Sequence, residues 1–172
     1  MIFIRLFEYK VMIKHSWRDF MHRDTYDYLF EEARKHEVDK FVVGAFVEND
    51  GRILLLQRLP NDSYPNMFEI PGGEVEKNET LSFAVKRELY EETSLEVIAV
   101  TAYLGYFDYY SKKNEKTRQF NFSLITKDNE IRWHPEHQQY DWVDSKNLKN
   151  FPMTNEMYKT LTLYFIKKNM KE

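Results

Sequence analysis

The chain has 172 residues, a length typical of one domain that buries about two thirds of the surface its unfolded form exposes. Hydrophobic residues make up 42% and aromatic residues 16%, which excludes a disordered polar tail, and 25 basic residues nearly balance 28 acidic ones, which excludes a general electrostatic surface for a nucleic-acid polymer. There is no cysteine, so disulfides, thiolate metal sites and cysteine nucleophiles are excluded, and a reducing cytosolic setting is expected.

The N-terminal part of the chain predicts an arm followed by a helical extension. The apolar run at residues 1–13 is interrupted by three charged residues, so it fits neither the core of a signal peptide nor a membrane span. A strand or a docked arm is expected there. Ser16 and Asp19 follow at the spacing of a capping box and indicate helical structure after them.

Strand and helix patterns then follow one another along the chain. Apolar runs on both sides of Asn49-Asp50-Gly51 predict a β-hairpin, because these residues tolerate the positive φ of a tight turn. Four later runs also predict strands: MFEI, EVIAVTAYLGYFDYY, TRQFNFSLI and YDWV. A C-terminal helix opened by Thr154 is indicated by a stripe of Met157, Leu161, Tyr164 and Phe165. No repeat or linker marks a second unit, so one mixed α/β domain is expected.

The segment after Gly72 predicts a helix whose inner face changes from apolar to acidic. Asn78 is the expected N-cap, and the helix is expected to run from about Glu79 to Thr93. Positions three and four residues apart form one stripe along it: Leu81, Ala84, Val85, Glu88, Glu91 and Glu92. Lys86, Tyr90 and Thr93 are expected on the opposite, solvated face.

Two interpretations of these acids are open from the residues alone. Clustered acids on a helix most often form a solvated face. Here they continue a buried stripe, so their mutual repulsion and desolvation call for a cation. Oxygen ligands without cysteine favour Mg²⁺ or Mn²⁺ over zinc, and Mg²⁺ prefers a few carboxylates together with substrate phosphates. The position of the acids therefore favours a metal-dependent phosphate enzyme over a solvated acidic helix.

A spaced motif surrounds these acids. From Gly73, five residues lead to Glu79, and seven more lead to the run RELYEETSL that begins at Arg87. This pattern resembles the Nudix box, and the similarity extends to FEIPGG before it and YDWVDSKNL after it, over roughly residues 40–148. The resemblance implies an α/β fold, the α/β/α sandwich around a mixed β-sheet, with residues 40–172 as the Nudix hydrolase domain and residues 1–39 as an extension packed on it. It also implies hydrolysis of a nucleoside diphosphate linked to another group.

The resemblance implies a role for each matching residue. Glu88, Glu91 and Glu92 would bind metal or activate water, the carbonyl of Gly73 would complete the metal site, and Glu79 and Arg87 would form a supporting pair. The resemblance does not decide which glutamate is the general base. Arg87 has an alternative role as a surface ion pair, which would contribute under about 1 kcal/mol to stability. Ser94 stands where the family usually has glycine. Either serine adopts the left-handed conformation at a cost of about 1 kcal/mol, or the turn differs.

Further site residues are expected outside the box. Arg58 is similar to a family position that reaches substrate phosphates, its alternative role being that of a surface arginine. Glu136 is expected as an additional metal-binding acid, whereas a zinc site with His134 and His137 is disfavoured because the helical spacing is missing. Candidates for stacking on a base are Tyr64, Phe68, Tyr106, Phe107 and Tyr110, with Phe68 and Tyr110 preferred. The lysines of SKKNEK are expected in a solvated hairpin turn, with phosphate contact as the alternative.

The predicted function is a magnesium-dependent pyrophosphohydrolase, with manganese as the alternative ion and a small nucleotide as substrate. A nucleoside triphosphate is preferred, because sugar-nucleotide members of the family commonly have a proline past the box and no proline lies between Leu95 and His134. Tyr109 and Tyr110 keep dinucleoside polyphosphates as the runner-up, and an ADP-sugar hydrolase or a non-catalytic nucleotide-sensing domain stays open. We expect a cytoplasmic protein with no membrane partner, and a homodimer is an open alternative to a monomer.

Overall fold

The computed structural model describes residues 23–132 and 134–170, so the predicted arm and the capping box at Ser16 lie outside the described residues. The elements in chain order are α1 (Arg23–Lys35), β1 (Lys40–Asn49), β2 (Arg52–Arg58), β3 (Phe68–Glu69), β4 (Gly72–Glu74), α2 (Leu81–Thr93), β5 (Val97–Tyr110), β6 (Lys116–Thr126), β7 (His137–Val143), a 3₁₀ turn (Leu148–Asn150) and α3 (Asn155–Asn169). No helix in this part of the chain is long and apolar enough to cross a membrane.

The strands form one mixed sheet around β1. Strand β1 pairs with β2 and β4 in antiparallel fashion and with β6 in parallel fashion, and the order along the sheet is β3-β2-β1-β6-β5, with β7 also on β2. The hairpin between β1 and β2 is confirmed, since Asp50 and Gly51 adopt φ values of 49° and 76°. The predicted runs MFEI, TRQFNFSLI and YDWV contribute to β3, β6 and β7.

Both faces of the sheet are covered, which confirms the α/β/α sandwich. Along β2 the side chains alternate: Leu54 and Leu56 belong to the core that contains α1 and α2, whereas Ile53 and Leu55 belong to the core that contains α3. All four are fully buried. Each such burial stabilises the fold by about 1.5 to 3 kcal/mol, so the helices are held on the sheet mainly by apolar contact.

Helix α1 packs on the same core as the sheet. Ala33 is fully buried, Val38 is nearly so, and the ring of Phe30 lies edge-on to that of Phe41 with centroids 5.0 Å apart. The described part of the predicted extension therefore contributes to the core next to α2. The division of the chain into residues 1–39 and 40–172 stays a prediction.

Helix α2 begins two residues later than the sequence predicts. Its N-cap is Thr80, whose hydroxyl oxygen accepts a hydrogen bond from the backbone N–H of Phe83 at 3.3 Å. The expected cap, Asn78, has φ 67° and sits in a turn. Glu79 also lies in that turn, where its backbone N–H donates to the carbonyl of Glu76. Glu79 is thus placed before the helix, not on its first turn.

The C-terminal end of α2 contains one wrong prediction and decides between the two alternatives that the sequence left open at Ser94. Thr93 is fully buried, not solvated, and its hydroxyl donates to the carbonyl of Leu89 at 2.5 Å. Ser94 ends the helix with φ 60° and ψ 13°, the left-handed conformation that glycine adopts most easily, and its N–H donates to the carbonyl of Tyr90.

Ser94→Gly is expected to stabilise the protein by about 0.5 kcal/mol. Glycine adopts the left-handed conformation without the strain that serine carries, although it adds entropy to the unfolded chain. The weak 3.4 Å bond from the Ser94 hydroxyl to the carbonyl of Arg132 is lost as well. Chemical denaturation of the two proteins measures the difference, with Ser145→Gly as the control for a glycine introduced outside a helix end. A destabilised variant would contradict the argument.

Helix α3 begins as predicted at its Thr154 cap and buries Met157, Leu161 and Phe165. Its C-terminal part is tied to β1 through Glu48, which accepts hydrogen bonds from the ammonium of Lys168 at 2.5 Å and from the Tyr164 hydroxyl at 2.8 Å. Burial opposes ionisation of Glu48, but these two donors outweigh it and lower the pKa of its carboxyl below the ordinary 4.5.

Glu48→Gln is expected to flatten the pH dependence of stability on the acid side. Because the pKa of Glu48 is lower in the folded protein, its ionised form stabilises the fold above pH 4.5, and this contribution is lost as the pH falls below that value. We expect a loss of under about 1 kcal/mol at pH 7, since the pair is partly solvated, and a smaller loss at pH 3. Urea denaturation of the wild type and the variant at both pH values measures the loss of unfolding free energy. An equal loss at the two would contradict the linkage.

Candidate active site

A polar cavity of about 400 Å³ opens between the sheet and α2. Residues of β1, β2, β4, α2 and the segment before β7 all contribute to its wall. Its acidic residues are Asp62, Glu69, Glu74, Glu88, Glu92 and Glu136, and its cationic residues are Lys40, Arg58 and Lys112. Of the residues predicted for the site, the structure brings Gly73, Glu88, Glu92, Arg58 and Glu136 together in this cavity.

Two glycines let the chain pass closely beneath the acids of α2. Gly72 lies against the carbonyl of Val43, and a side chain there would collide with that backbone. Gly73 lies against the carboxylate of Glu88, where a Cβ atom would overlap all three carboxyl atoms. The strand pairing of β4 with β1 holds both glycines in place. A Cβ atom at 73 would therefore displace the Glu88 carboxylate, so the glycine here relates to close approach to an acid and not to a positive φ.

Glu92 is the most enclosed acid of the cavity. Its side chain is 10% exposed, and its Oε2 accepts a hydrogen bond from the N–H of Gly72 at 2.8 Å. Burial, followed by the nearby charge of Glu69, raises the pKa of the Glu92 carboxyl well above its ordinary value, although the Gly72 bond opposes this. Ionisation of the Glu92 carboxyl therefore becomes favourable when a cation lies beside it.

Arg87 is the nearest guanidinium to the acids of α2. It donates to Glu79 at 2.7 and 2.9 Å, to Glu88 at 2.7 Å, to Glu91 at 3.1 Å and to the carbonyl of Glu74 at 3.0 Å. The predicted pairing of Glu79 with Arg87 is present in this geometry. Burial raises the pKa of the Glu88 carboxyl even though Arg87 lowers it. Arg87 therefore compensates the cluster only in part.

Glu91 and Glu136 are the least enclosed of the predicted acids. The Glu91 side chain is 56% exposed and turns toward Arg87, outside the cavity. Glu136 stands at the rim with its side chain 72% exposed. Their metal-binding roles stay predictions.

Arg58 reaches the cavity from the end of β2. Its guanidinium is bound by Glu69 at 2.6 Å and by Asp62 at 2.7 Å, so it is more than a free surface arginine. These two carboxylates fix the plane of the guanidinium and hold it at the cavity wall. A phosphate approaching Arg58 would share this cation with them.

The two aromatic residues preferred for base stacking lie apart. Phe68 is buried, with its ring edge-on to Phe151 at 4.9 Å, and lines a smaller cavity of about 130 Å³. Tyr110 is 63% exposed and outside both cavities. Tyr109 lines both instead, because successive residues of a strand point to opposite faces.

His137 is a site residue that sequence reasoning set aside. It begins β7 and lines the cavity, with a side chain only 6% exposed. Its Nε2 lies 3.5 Å from Oε1 of Glu92. His134, the other histidine of the disfavoured zinc site, is 53% exposed and does not line the cavity. No helical or strand periodicity in the sequence signals the contact between His137 and α2.

The donors of the cavity fit a divalent cation of the magnesium type. Within residues 23–132 and 134–170, no three carboxylate or imidazole groups converge into a complete metal cage. Mg²⁺ does not need one, because it keeps several waters and takes one or two carboxylates plus substrate phosphates. Glu88 and Glu92, both partly desolvated and both facing an open polar cavity, match that requirement.

The fold and the cavity together define a class of α/β/α proteins in which one helix, preceded by a short glycine-containing strand, presents glutamates to a polar cavity. The model of the NUDIX domain family matches residues 38–164, and the chain belongs to this family. It is therefore a Nudix hydrolase, an enzyme class that acts on nucleoside diphosphate derivatives and generally uses divalent metal ions.

Relatives of known name agree with this assignment. The chain is 29% identical over 116 residues to an 8-oxo-dGTP diphosphatase of Buchnera aphidicola, covering 66% of this chain and 85% of the relative. It is 29% identical over 123 residues to an RNA pyrophosphohydrolase of Pelagibacter ubique, covering 62% and 77%. The crystal structure of a MutT protein from Methanosarcina mazei matches with a TM-score of 0.67 at 23% identity, covering 76% of this chain and 94% of that one, which shows the shared fold.

Proposed function

We propose that the enzyme hydrolyses a nucleoside triphosphate to a nucleoside monophosphate and pyrophosphate. The observation that carries this proposal is the junction of two cavities. The acidic cavity adjoins the smaller one, and both are lined by Arg58, Tyr64, Glu69, Tyr109 and Gln119. Phosphates near the acids and a base against the aromatic wall would span this junction. The name of the Buchnera aphidicola relative, a diphosphatase of a damaged nucleoside triphosphate, supports the same class.

The residues in and around the cavity would have separate roles in this reaction. Glu88 and Glu92, with Gly73, Glu91 and Glu136 as further ligands, would hold a divalent ion that neutralises phosphate charge and acidifies water. Arg87 keeps the Glu88 carboxylate oriented through its 2.7 Å bond. Arg58 offers a guanidinium to the phosphates, and a carboxylate of the cluster takes the proton of the attacking water. Water forms one new P–O bond while the bridging P–O bond breaks, leaving its electron pair on the departing phosphate oxygen.

A product-resolved screen in ¹⁸O-labelled water tests the proposal. Nucleoside triphosphates, including oxidised ones, are compared with ADP-ribose and dinucleoside polyphosphates, each with Mg²⁺ and with Mn²⁺. We expect monophosphate and pyrophosphate from a triphosphate, with the label in one product identifying the phosphorus attacked. A far higher kcat/KM for ADP-ribose or for a dinucleoside polyphosphate would overturn the substrate class. Nucleotide binding without hydrolysis would instead indicate the nucleotide-sensing alternative.

We propose that the ion is Mg²⁺, with Mn²⁺ as the alternative. We also propose that the enzyme is cytoplasmic and that its substrate is not a nucleic-acid polymer. The nearly balanced charge and the absence of cysteine in the sequence support these choices. A homodimer stays an open alternative to a monomer. Sedimentation of the full chain over a range of concentrations distinguishes it from a monomer.

A further inference from the structure

The imidazole of His137 lies close to two acids of the cavity, Glu92 on α2 and Glu69 on β3. Its Nε2 is 3.5 Å from Oε1 of Glu92 and 3.9 Å from Oε1 of Glu69, so this nitrogen lies between two carboxylates. The other ring nitrogen, Nδ1, is buried and has no hydrogen-bond partner in the part of the chain that the structure describes. A histidine used only for packing would gain nothing from aiming one nitrogen at two acids.

Backbone contacts fix His137 relative to Glu92. The segment before β7 is bound to the last turn of α2, because the N–H of His134 donates to the carbonyl of Glu92 at 3.0 Å and that of Arg132 donates to the carbonyl of Thr93 at 2.9 Å. On its other side, His137 pairs with Arg58 of β2. The imidazole is thereby held against α2 by main-chain bonds, which do not depend on its own side chain.

We propose that His137 is a positioning residue that holds the Glu92 carboxylate through Nε2 in the orientation needed for metal binding, which rests on the function proposed above. The Gly72 N–H fixes Oε2 of Glu92 at 2.8 Å, and Nε2 of His137 faces the remaining oxygen, Oε1, at 3.5 Å, where its proton would be donated. Two donors define the plane of a carboxylate, whereas one leaves it free to rotate. Groups that orient metal-binding side chains in this way typically change metal affinity by about 10- to 100-fold when removed.

Two amide substitutions separate positioning from packing. In His137→Gln, the amide nitrogen reaches about as far as Nε2, whereas in His137→Asn it stops near the position of Nδ1. Binding of Mn²⁺ to the full chain is titrated without substrate, and thermal unfolding is followed in parallel. We expect His137→Asn to bind Mn²⁺ about 10-fold more weakly and His137→Gln to stay within about 3-fold of the wild type. In turnover, His137→Asn should lower kcat more than it changes KM.

His134→Asn and His134→Gln are the matched controls, because His134 lies three residues earlier and is solvated. They are expected to bind Mn²⁺ like the wild type. The positioning role is overturned if His137→Asn binds Mn²⁺ normally, or if the Gln and Asn variants lose equal affinity. If the wild type fails to hydrolyse triphosphates while the Mn²⁺ difference persists, the proposed substrate is wrong and the positioning role stands.

A measurement on the wild type removes dependence on the folding of any variant. The ¹⁵N chemical shifts of the His137 ring report which nitrogen carries the proton. The proposal requires the proton on Nε2, where it can be donated to Glu92. A neutral ring with its proton on Nδ1 would place a lone pair opposite the carboxylate and would overturn the proposal.

Discussion

Glu92→Gln is expected to lower kcat by at least about 100-fold, equivalent to about 2.7 kcal/mol of activation free energy. The substitution keeps the volume of the side chain, and the amide oxygen of glutamine can still accept the hydrogen bond from Gly72. It removes the charge that would hold the metal ion beside the substrate. Steady-state turnover of the best substrate from the product-resolved screen, at saturating Mg²⁺, measures the loss.

The same variant should be at least as stable as the wild type when no metal is present. Glu92 is nearly enclosed and lies near the charges of Glu69 and Glu88, so its own charge is unfavourable without a cation. Saturating Mg²⁺ should then raise the unfolding temperature of the wild type more than that of the variant, since only ions bound to the native state stabilise it.

Glu96→Gln is the matched control for Glu92→Gln. Glu96 follows the end of α2, its side chain is 64% exposed, and its partner Lys127 is exposed as well. We expect its turnover and its response to Mg²⁺ to match those of the wild type. Equal activity in Glu92→Gln and the wild type would show that the metal site has been assigned to the wrong acids.

Residue patterns predict a mixed α/β domain and the position of its acidic helix, whereas the sandwich is implied by the resemblance to the Nudix family. The hairpin at Asn49-Asp50-Gly51 follows from local backbone chemistry, and the Leu81, Ala84 and Val85 stripe shows which face of α2 is buried. The buried stripe continues into Glu88 and Glu92 as predicted, but the expected place of Glu91 on the same inner face is wrong, since its side chain is 56% exposed. The start of α2 was misplaced because Asn78 and Thr80 are both good caps, and only the contacts of Glu79 with Glu76 and Arg87 decide between them.

The phase of strand β5 shows a limit of sequence reasoning. Alternation along a strand would have identified which of Tyr109 and Tyr110 faces inward if the strand were regular. Strand β5 has three register irregularities against β6, between Val97 and Ala99, between Val100 and Ala102, and between Tyr103 and Gly105. Each one can change which face the following residues occupy, so counting in twos from the start of the strand fails.

His137 illustrates a second limit. Its contact with Glu92 joins residues 45 positions apart in the printed sequence, through the pairing of β7 with β2 and the bonds of residues 132–134 to the end of α2. Local patterns contain no information about such a contact. The same holds for the close approach of Gly73 to the Glu88 carboxylate, which joins β4 to α2.

Arg87→Met is expected to destabilise the protein by about 2 kcal/mol, the largest stability effect we predict for one side chain. Methionine keeps much of the apolar contact of the arginine stem but leaves Glu79, whose side chain is 6% exposed, without its guanidinium partner. Removing one member of a fully buried ion pair costs about 3 to 5 kcal/mol, and Arg87, at 18% exposed, lies nearer to solvent. The acids Glu88 and Glu91 also lose the cation between them.

The part of the loss that comes from the unpaired Glu79 carboxylate should be recovered when Glu79 is removed as well. In the double variant Arg87→Met with Glu79→Leu, the Glu79 carboxylate is no longer stranded, although Glu88 and Glu91 still lack their guanidinium partner. Replacing both members of an enclosed ion pair by apolar residues is often close to neutral. Urea denaturation of the wild type, both single variants and the double variant gives the coupling free energy of the pair. Arg34→Met is the control, because its pair with Glu31 is 60% and 61% exposed and should contribute less than about 1 kcal/mol. Additive losses at Arg87 and Glu79 would show that the pair contributes little, and the supporting role of Arg87 would then have to rest on its bond to Glu88 alone.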